Sequence, residues 1–254
     1  MAGKVLSLLS KFMFFVALVV LWQVYPALTG TPNFILPTPV ATVAAIFNNA
    51  AQIWKNLLVT VLETVVGFGL AVFTGIASAI GIYRSSYLRG TLYPSLVALN
   101  SFPKVLIAPL LVLWFGFGLQ PRILLSAVIA FFPIVINSLT GFTQVEPDLI
   151  ELCRVYKASE WKIFRRVRAP NSLPYIFDAF KISVPLALIG AVVGEFISGN
   201  QGLGYLAETS ATFFNVPLTF AVSVTMIFVS LGLYLIVLFS ERRVVFWLPS
   251  SRRR

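Results

Sequence analysis

Few residues of this sequence are equipped for chemistry, and they are unevenly placed. There is no histidine, and Cys153 is the one cysteine. That removes histidine-based metal sites, Ser-His-Asp triads, Cys-His dyads and any intramolecular disulfide. The stretch ELCRVYKASEWKIFRRVRAP (151–170) carries six of the chain's 19 basic residues: Arg154, Lys157, Lys162, Arg165, Arg166 and Arg168. Elsewhere, ionisable groups stand alone among apolar neighbours. Glu63, Lys104 and Glu195 fall in apolar spans, where a charge is costly and is a functional candidate by default. Lys104, beside Pro103 and near Asn100, either attracts an anionic solute or snorkels to an interface. Glu63 and Glu195 either hold a proton or an ion, or pair with a buried donor; pairing or gating is the expectation. Asn137, Ser138 and Ser183 are candidates for lining a polar path. The equal alternative is helix-to-helix hydrogen bonding, worth about 0.6–2 kcal/mol each.

These groups must be positioned by elements suited to lipid. The chain has 254 residues, 58% hydrophobic and 11% charged, whereas a soluble domain is about half apolar and a quarter charged. The composition therefore predicts an all-α integral membrane protein, forming a single transmembrane domain over 1–254. Six segments reach bilayer length: 12–29, 57–82, 92–116, 123–142, 175–198 and 217–240. The apolar N-terminus reads as an uncleaved first span, since no small-residue cleavage site follows it. With the N-terminus in the cytoplasm, 15 basic residues fall on the inner side: Lys4, Lys11, Arg84, Arg89, the six above, Arg242, Arg243 and Arg252 to Arg254. The outer loops hold Lys55 and Arg122. That asymmetry places both termini in the cytoplasm. It also assigns the net charge of +10 to contact with anionic lipid, so no nucleic acid is expected as a partner.

Between the spans, Thr38-Pro39 reads as an N-cap and first helical residue. Val40, Val43, Ala44, Phe47, Ala51 and Trp54 then follow at helical spacing, predicting an amphipathic helix on the outer surface. Gly67, Ala71, Gly75 and Ala79 recur at every fourth position, a stripe that lets helices approach closely. Pro94, Pro103, Pro109, Pro133 and Pro185 predict kinks or breaks. In the loop 145–174, Pro147 starts a short helix with an apolar stripe of Leu149, Leu152, Cys153 and Tyr156. Ser159 caps a second helix, in which Trp161, Phe164, Val167 and Arg168 share a face, and Pro170 and Pro174 end it. The apolar stripe and flanking charges suit docking into another protein; adhesion to anionic lipid is the alternative.

At these residues the sequence resembles the "EAA" loop of ATP-binding-cassette importer permeases. Glu151, Ala158, Ser159, Trp161, Ile163, Phe164, Arg165, Arg166, Val167 and Pro170 fit that pattern. Two departures stand out. Leu152-Cys153 replaces the small pair, and Lys157 stands where the pattern has glycine. Lysine enters a left-handed turn less readily than glycine, which predicts another turn geometry there. The stretches LLVLWFGFG (110–118), FFPIVINSLTGF (131–142) and GEFISGNQGLGYL (194–206) are similar to the branch importing sulfonates, taurine, nitrate and thiamine precursors.

The resemblance implies a type I importer permease bundle in a bacterial inner membrane. A homodimer forms the path for a small polar or anionic organic solute, two ATPase subunits lie beneath it, and an extracytoplasmic binding protein supplies the solute. ATP and magnesium belong to the ATPases, which fits the lack of a GxxxxGK[ST] motif here. Glu151, Leu152, Cys153, Tyr156, Lys157, Ala158, Ser159, Trp161 and Arg165 become the docking residues. The alternative is a proton- or ion-coupled carrier using Glu63 and Glu195, although no internal repeat of the kind such carriers show is evident. An intramembrane enzyme is disfavoured by the absence of histidine and of any paired carboxylate motif.

Overall fold

Lipid offers no partner for backbone N–H and C=O groups, so apolar segments of bilayer length satisfy those groups within helices. The computed structural model describes residues 2–247, with side chains at residue 10 and from 12 onward, and every regular element among them is helical. Arg252 to Arg254 and the side chains of Lys4 and Lys11 lie outside the described residues. The helices in chain order are α1 (Ala2–Thr29), α2 (Pro39–Asn48), α3 (Ala50–Arg84), α4 (Ser86–Asn100), α5 (Ala108–Phe115) and α6 (Leu119–Thr143). They continue with α7 (Pro147–Val155), α8 (Glu160–Ile163), α9 (Ala169–Ser198), α10 (Leu203–Thr212) and α11 (Val216–Val244).

Five stretches are long and apolar enough to cross a membrane: Phe12–Thr29 of α1, α3, α6, Glu160–Ser198 and α11. The expected span 92–116 is not one helix. It consists of α4 and the run Lys104–Phe115, bent by 92° at a short break. Pro103 sits at that break and Pro109 one turn further on, and a 3-10 turn at Lys104–Ile107 joins the two parts. The other prolines behave differently. Pro133 and Pro185 lie inside continuous helices. Within a turn of Pro133, Ser183 Oγ of α9 donates to Ala130 O at 3.0 Å, a polar link between α9 and α6.

The surface helix is present but shorter than expected. Thr38 Oγ1 accepts from Ala41 N at 3.2 Å and Pro39 occupies the first position. The helix ends at Asn48, so Ala51 and Trp54 belong to α3. α3 then runs 35 residues, about 52 Å at 1.5 Å per residue, because no Pro or Gly interrupts 50–56. The expected stop at Pro170 is also absent. The backbone widens into a π turn at Phe164–Arg168, and Ala169 N–H reaches back to Phe164 O. Proline normally clashes with the carbonyl four residues earlier; a wider turn just before Pro170 relieves that clash and lets α8 run into α9.

The chain divides into two compact units, 1–59 with 201–227 and 60–200 with 228–254. In the first, Trp22 Nε1 donates to Pro37 O at 3.0 Å and the Trp22 and Phe220 rings lie 5.9 Å apart. Gly202 N donates to Asn56 Oδ1 at 2.7 Å. Its φ of +112° is one that side-chain-bearing residues rarely adopt.

The second unit is built on α6, which lies against both α3 and α9. The stripe Gly67, Ala71, Gly75, Ala79 of α3 meets it: Gly67 faces Ser126, Gly75 faces Ile134, and Ala79 packs with Val135 and Leu139. From α9, Gly190 approaches Ser126 and Gly194 approaches Arg122. Lys181, which the sequence places in a span, is neutralised by Asp178 at 2.6 Å and Glu241 at 3.1 Å.

A methyl group at Gly190 would sit 2.6 Å from Ser126 Cα, so helix backbones would have to separate. Gly190→Ala is expected to lower stability by about 1–3 kcal/mol. Gly81→Ala meets open space and is expected to gain up to about 1 kcal/mol from helix propensity. Thermal unfolding of the two variants in detergent checks the contrast.

Candidate functional site

The loop between α6 and α9 begins as its residue types require. Pro147 occupies the first turn of α7, Asp148 lies at its positive end and Arg154 in its last turn, all suited to the helix dipole. Ile150 is buried and anchors the helix. Leu149, Leu152, Val155 and Tyr156 point outward, with 52% exposure at Leu152, 72% at Val155 and 79% at Tyr156. Cys153, expected in the same stripe, is only half-exposed. Glu151 and Arg165 are exposed, and Glu151 makes no ion pair among the described residues.

The turn after α7 corrects the expectation drawn from lysine. Lys157 does adopt the left-handed conformation, with φ 52°. Lys157 N donates to Arg154 O at 2.8 Å and Ala158 N to Cys153 O at 3.0 Å, the paired bonds of a Schellman cap. The two bonds satisfy carbonyls that the helix end would otherwise leave open, which offsets the steric cost of the side chain. Ser159 Oγ then accepts from Lys162 N at 3.3 Å and starts α8. Its most buried residue is Ile163, 1% exposed, which lies outside the face formed by Trp161, Phe164, Val167 and Arg168.

Several contacts fix this loop to the spans. Trp161 stacks on Phe164 with centroids 5.8 Å apart, and Phe164 contacts Tyr83 of α3 and Phe142 of α6 at 5.4 and 5.3 Å. Arg168 Nη1 donates to Phe142 O at 2.9 Å, and Tyr175 OH pairs with Gln144 Oε1 at 2.9 Å. The exposed Arg154–Glu160 pair, 3.0 Å, adds little by itself. The loop is thus a rigid projection with an unpartnered apolar face.

A second constellation lies at the far end of α9. Arg122, in the first turn of α6, is 1% exposed and its Nη1 lies 3.0 Å from Glu63 Oε1 of α3. Its Nη2 donates to Ser198 O at 3.0 Å and reaches Asn200 Oδ1 at 3.5 Å. Glu195, fully buried, accepts from Thr60 Oγ1 at 2.6 Å. Thus α3, α6 and α9 are cross-linked by charge where their small residues let them approach.

The comparisons with known proteins can be set beside this geometry. The family described as "binding-protein-dependent transport system inner membrane component" matches residues 71–246, a range holding the α7–α8 loop, all of α6 and α9, and the C-terminal part of α3. The chain belongs to this family of permeases. A riboflavin transport system permease protein of Chloroflexus aurantiacus is 37% identical over 91% of this chain and 87% of its own. A formylaminopyrimidine transport permease protein of Halalkalibacterium halodurans is 31% identical over 84% and 85%. In fold, the chain resembles the MetNI methionine ABC transporter in an inward-facing conformation, with a TM-score of 0.62, 20% identity, and coverage of 77% of this chain and 95% of that one. It is therefore a multi-pass inner-membrane ABC importer permease.

In this permease the polar candidates do not converge on one cavity. Lys104 Nζ, exposed, donates to Asn100 O at 2.7 Å and to Asn100 Oδ1 at 3.1 Å, and lies 4.9 Å from the Phe132 ring centroid. It caps the end of α4 beside the break. Asn137 Nδ2 bonds Pro133 O in its own helix at 2.9 Å, Ser183 joins α9 to α6, and Ser138 is fully buried. The sequence reading missed Arg122, which it assigned to an outer loop because the residue adjoins the end of a span. A signal was available: two acidic residues within spans call for a cation, and Arg122 and Lys55 are the basic residues that the sequence places on the outer side.

Removing one partner of a buried pair strands the other charge. Arg122→Met is expected to cost about 3–5 kcal/mol, and Arg122→Met with Glu63→Met to recover most of it. Lys157→Gly is expected to add about 1 kcal/mol by relieving the left-handed turn. Detergent unfolding curves of the single and double variants measure both effects.

Proposed function

We propose that the chain is the membrane subunit of an ATP-driven importer, in which two copies form the path and each offers its α7–α8 loop to one ATPase subunit. The observation that carries this reading is the outward apolar face of α7. Leu149, Leu152, Val155 and Tyr156 stand exposed on a capped helix, followed by a tight turn into α8, which runs on into the span Glu160–Ser198. Charged neighbours Glu151 and Arg165 would orient the docked partner. ATP and magnesium would be held by that partner, whose closure would move the loop and α9 together as a rigid body.

The Lys/Arg bias supports six crossings, with α4 and Lys104–Phe115 counted as one, and both termini in the cytoplasm. An extracytoplasmic binding protein would bring the solute to the opposite side. Relatives named for riboflavin and formylaminopyrimidine transport, with others named for aliphatic sulfonates and nitrate, support a small polar or anionic organic solute. The permease family and the transport permeases among the relatives weigh against the carrier alternative, and Glu63, one of the two residues that motivated it, is paired with Arg122.

Leu152→Glu places a charge in the centre of the docking face without touching the core. Copurification of a P-loop ATPase with the wild-type permease is expected, together with its loss and loss of ATP-driven uptake in Leu152→Glu at unchanged membrane insertion. Full retention of ATPase and uptake in that variant would refute the docking role.

A further inference from the structure

Beside the docking face lies a cavity of about 580 Å³ that the proposed transport cycle does not use. Arg84, Arg89, Arg154 and Arg168 line it, with Glu160 as the one carboxylate. That carboxylate is already engaged by Arg154 at 3.0 Å. Among the described residues, no carboxylate lies within ion-pair distance of Arg84, Arg89 or Arg168. The cavity wall therefore carries an excess of positive charge.

Arg84 and Arg154 are exposed, whereas Arg89 and Arg168 are half-buried. Arg89 and Arg168 both stack on the Tyr83 ring, with guanidinium carbons 5.1 and 5.4 Å from its centroid. Arg84 lies 5.7 Å from the Trp161 centroid. Arg89 Nη2 donates to Tyr83 O and Arg168 Nη1 to Phe142 O. Ring contacts and carbonyl bonds fix the guanidiniums in place without neutralising them. Guanidinium groups held in place match phosphate oxygens in geometry and charge.

We propose that this cavity binds a phosphate oxyanion, either the headgroup of an anionic phospholipid or soluble phosphate. The inference does not require that an ATPase dock on α7. The exposed apolar residues Leu149, Leu152 and Tyr156 are not among the residues lining the cavity.

The test is calorimetric titration of the full-length, delipidated permease in non-ionic detergent with short-chain phosphatidylglycerol, with inorganic phosphate, and with short-chain phosphatidylcholine. Saturable phosphatidylglycerol binding, weakened about tenfold in Arg89→Gln and in Arg84→Gln, supports the site and a lipid source. Saturable inorganic phosphate binding with the same arginine dependence supports the site and a soluble source. Arg84 is exposed, so Arg84→Gln keeps the test valid if Arg89→Gln disturbs the fold. The proposal is overturned if neither anion binds saturably, if the glutamine variants bind as wild type, or if phosphatidylcholine binds as tightly as phosphatidylglycerol.

Discussion

The structure depends on how closely α6 approaches its two neighbours. At Ser126 the helix is flanked by Gly67 on one side and Gly190 on the other, and neither position has room for a methyl group without backbone movement. Apolar attraction gives little net driving force between helices in lipid, so such close packing and specific polar links must hold them together. The Arg122–Glu63 pair is one such link, and its burial depends on the same small residues that bring the helices near. A buried ion pair is weak evidence of stability gain; here it fixes which faces of α3, α6 and α9 meet.

Continuity from Glu160 to Ser198 gives this packing a mechanical consequence. The stretch has the α7–α8 loop at one end and the Arg122 and Glu195 contacts at the other. The aromatic group of Tyr83, Phe142, Trp161 and Phe164 clamps the loop end, and the charges clamp the opposite end. Under the proposed docking role, a displacement imposed on the loop would travel as motion of a whole helix. The π turn at Phe164–Arg168 is the irregular point along that route, and π turns often mark functional positions.

Much of this was legible in the sequence because lipid imposes strong, simple patterns. Apolar length located the spans, Thr38-Pro39 and Ser159 announced two helix starts, and the four-residue stripe in α3 announced a packing face. Legibility failed where local rules compete with tertiary contacts. Proline punctuation predicted an end at Pro170 and kinks or breaks at Pro133 and Pro185; a wider turn carries the helix past Pro170, and Pro133 and Pro185 lie inside continuous helices. Arg122 was misread because distance from a span's end does not tell which way a side chain faces. Lys157 was misread because a lysine's reluctance to enter a left-handed turn is a small penalty beside two backbone hydrogen bonds.

The central claim is that the α7–α8 loop faces the cytoplasm and is covered there by an ATPase. Tyr156→Cys in a Cys153→Ser background leaves a single thiol at an exposed position. Labelling it with a membrane-impermeant maleimide in intact cells and in inverted vesicles tests the claim directly. The account predicts no labelling in cells, labelling in inverted vesicles stripped of ATPase, and protection when the ATPase is present. Labelling in intact cells, or equal labelling of stripped and ATPase-bearing vesicles, would contradict it.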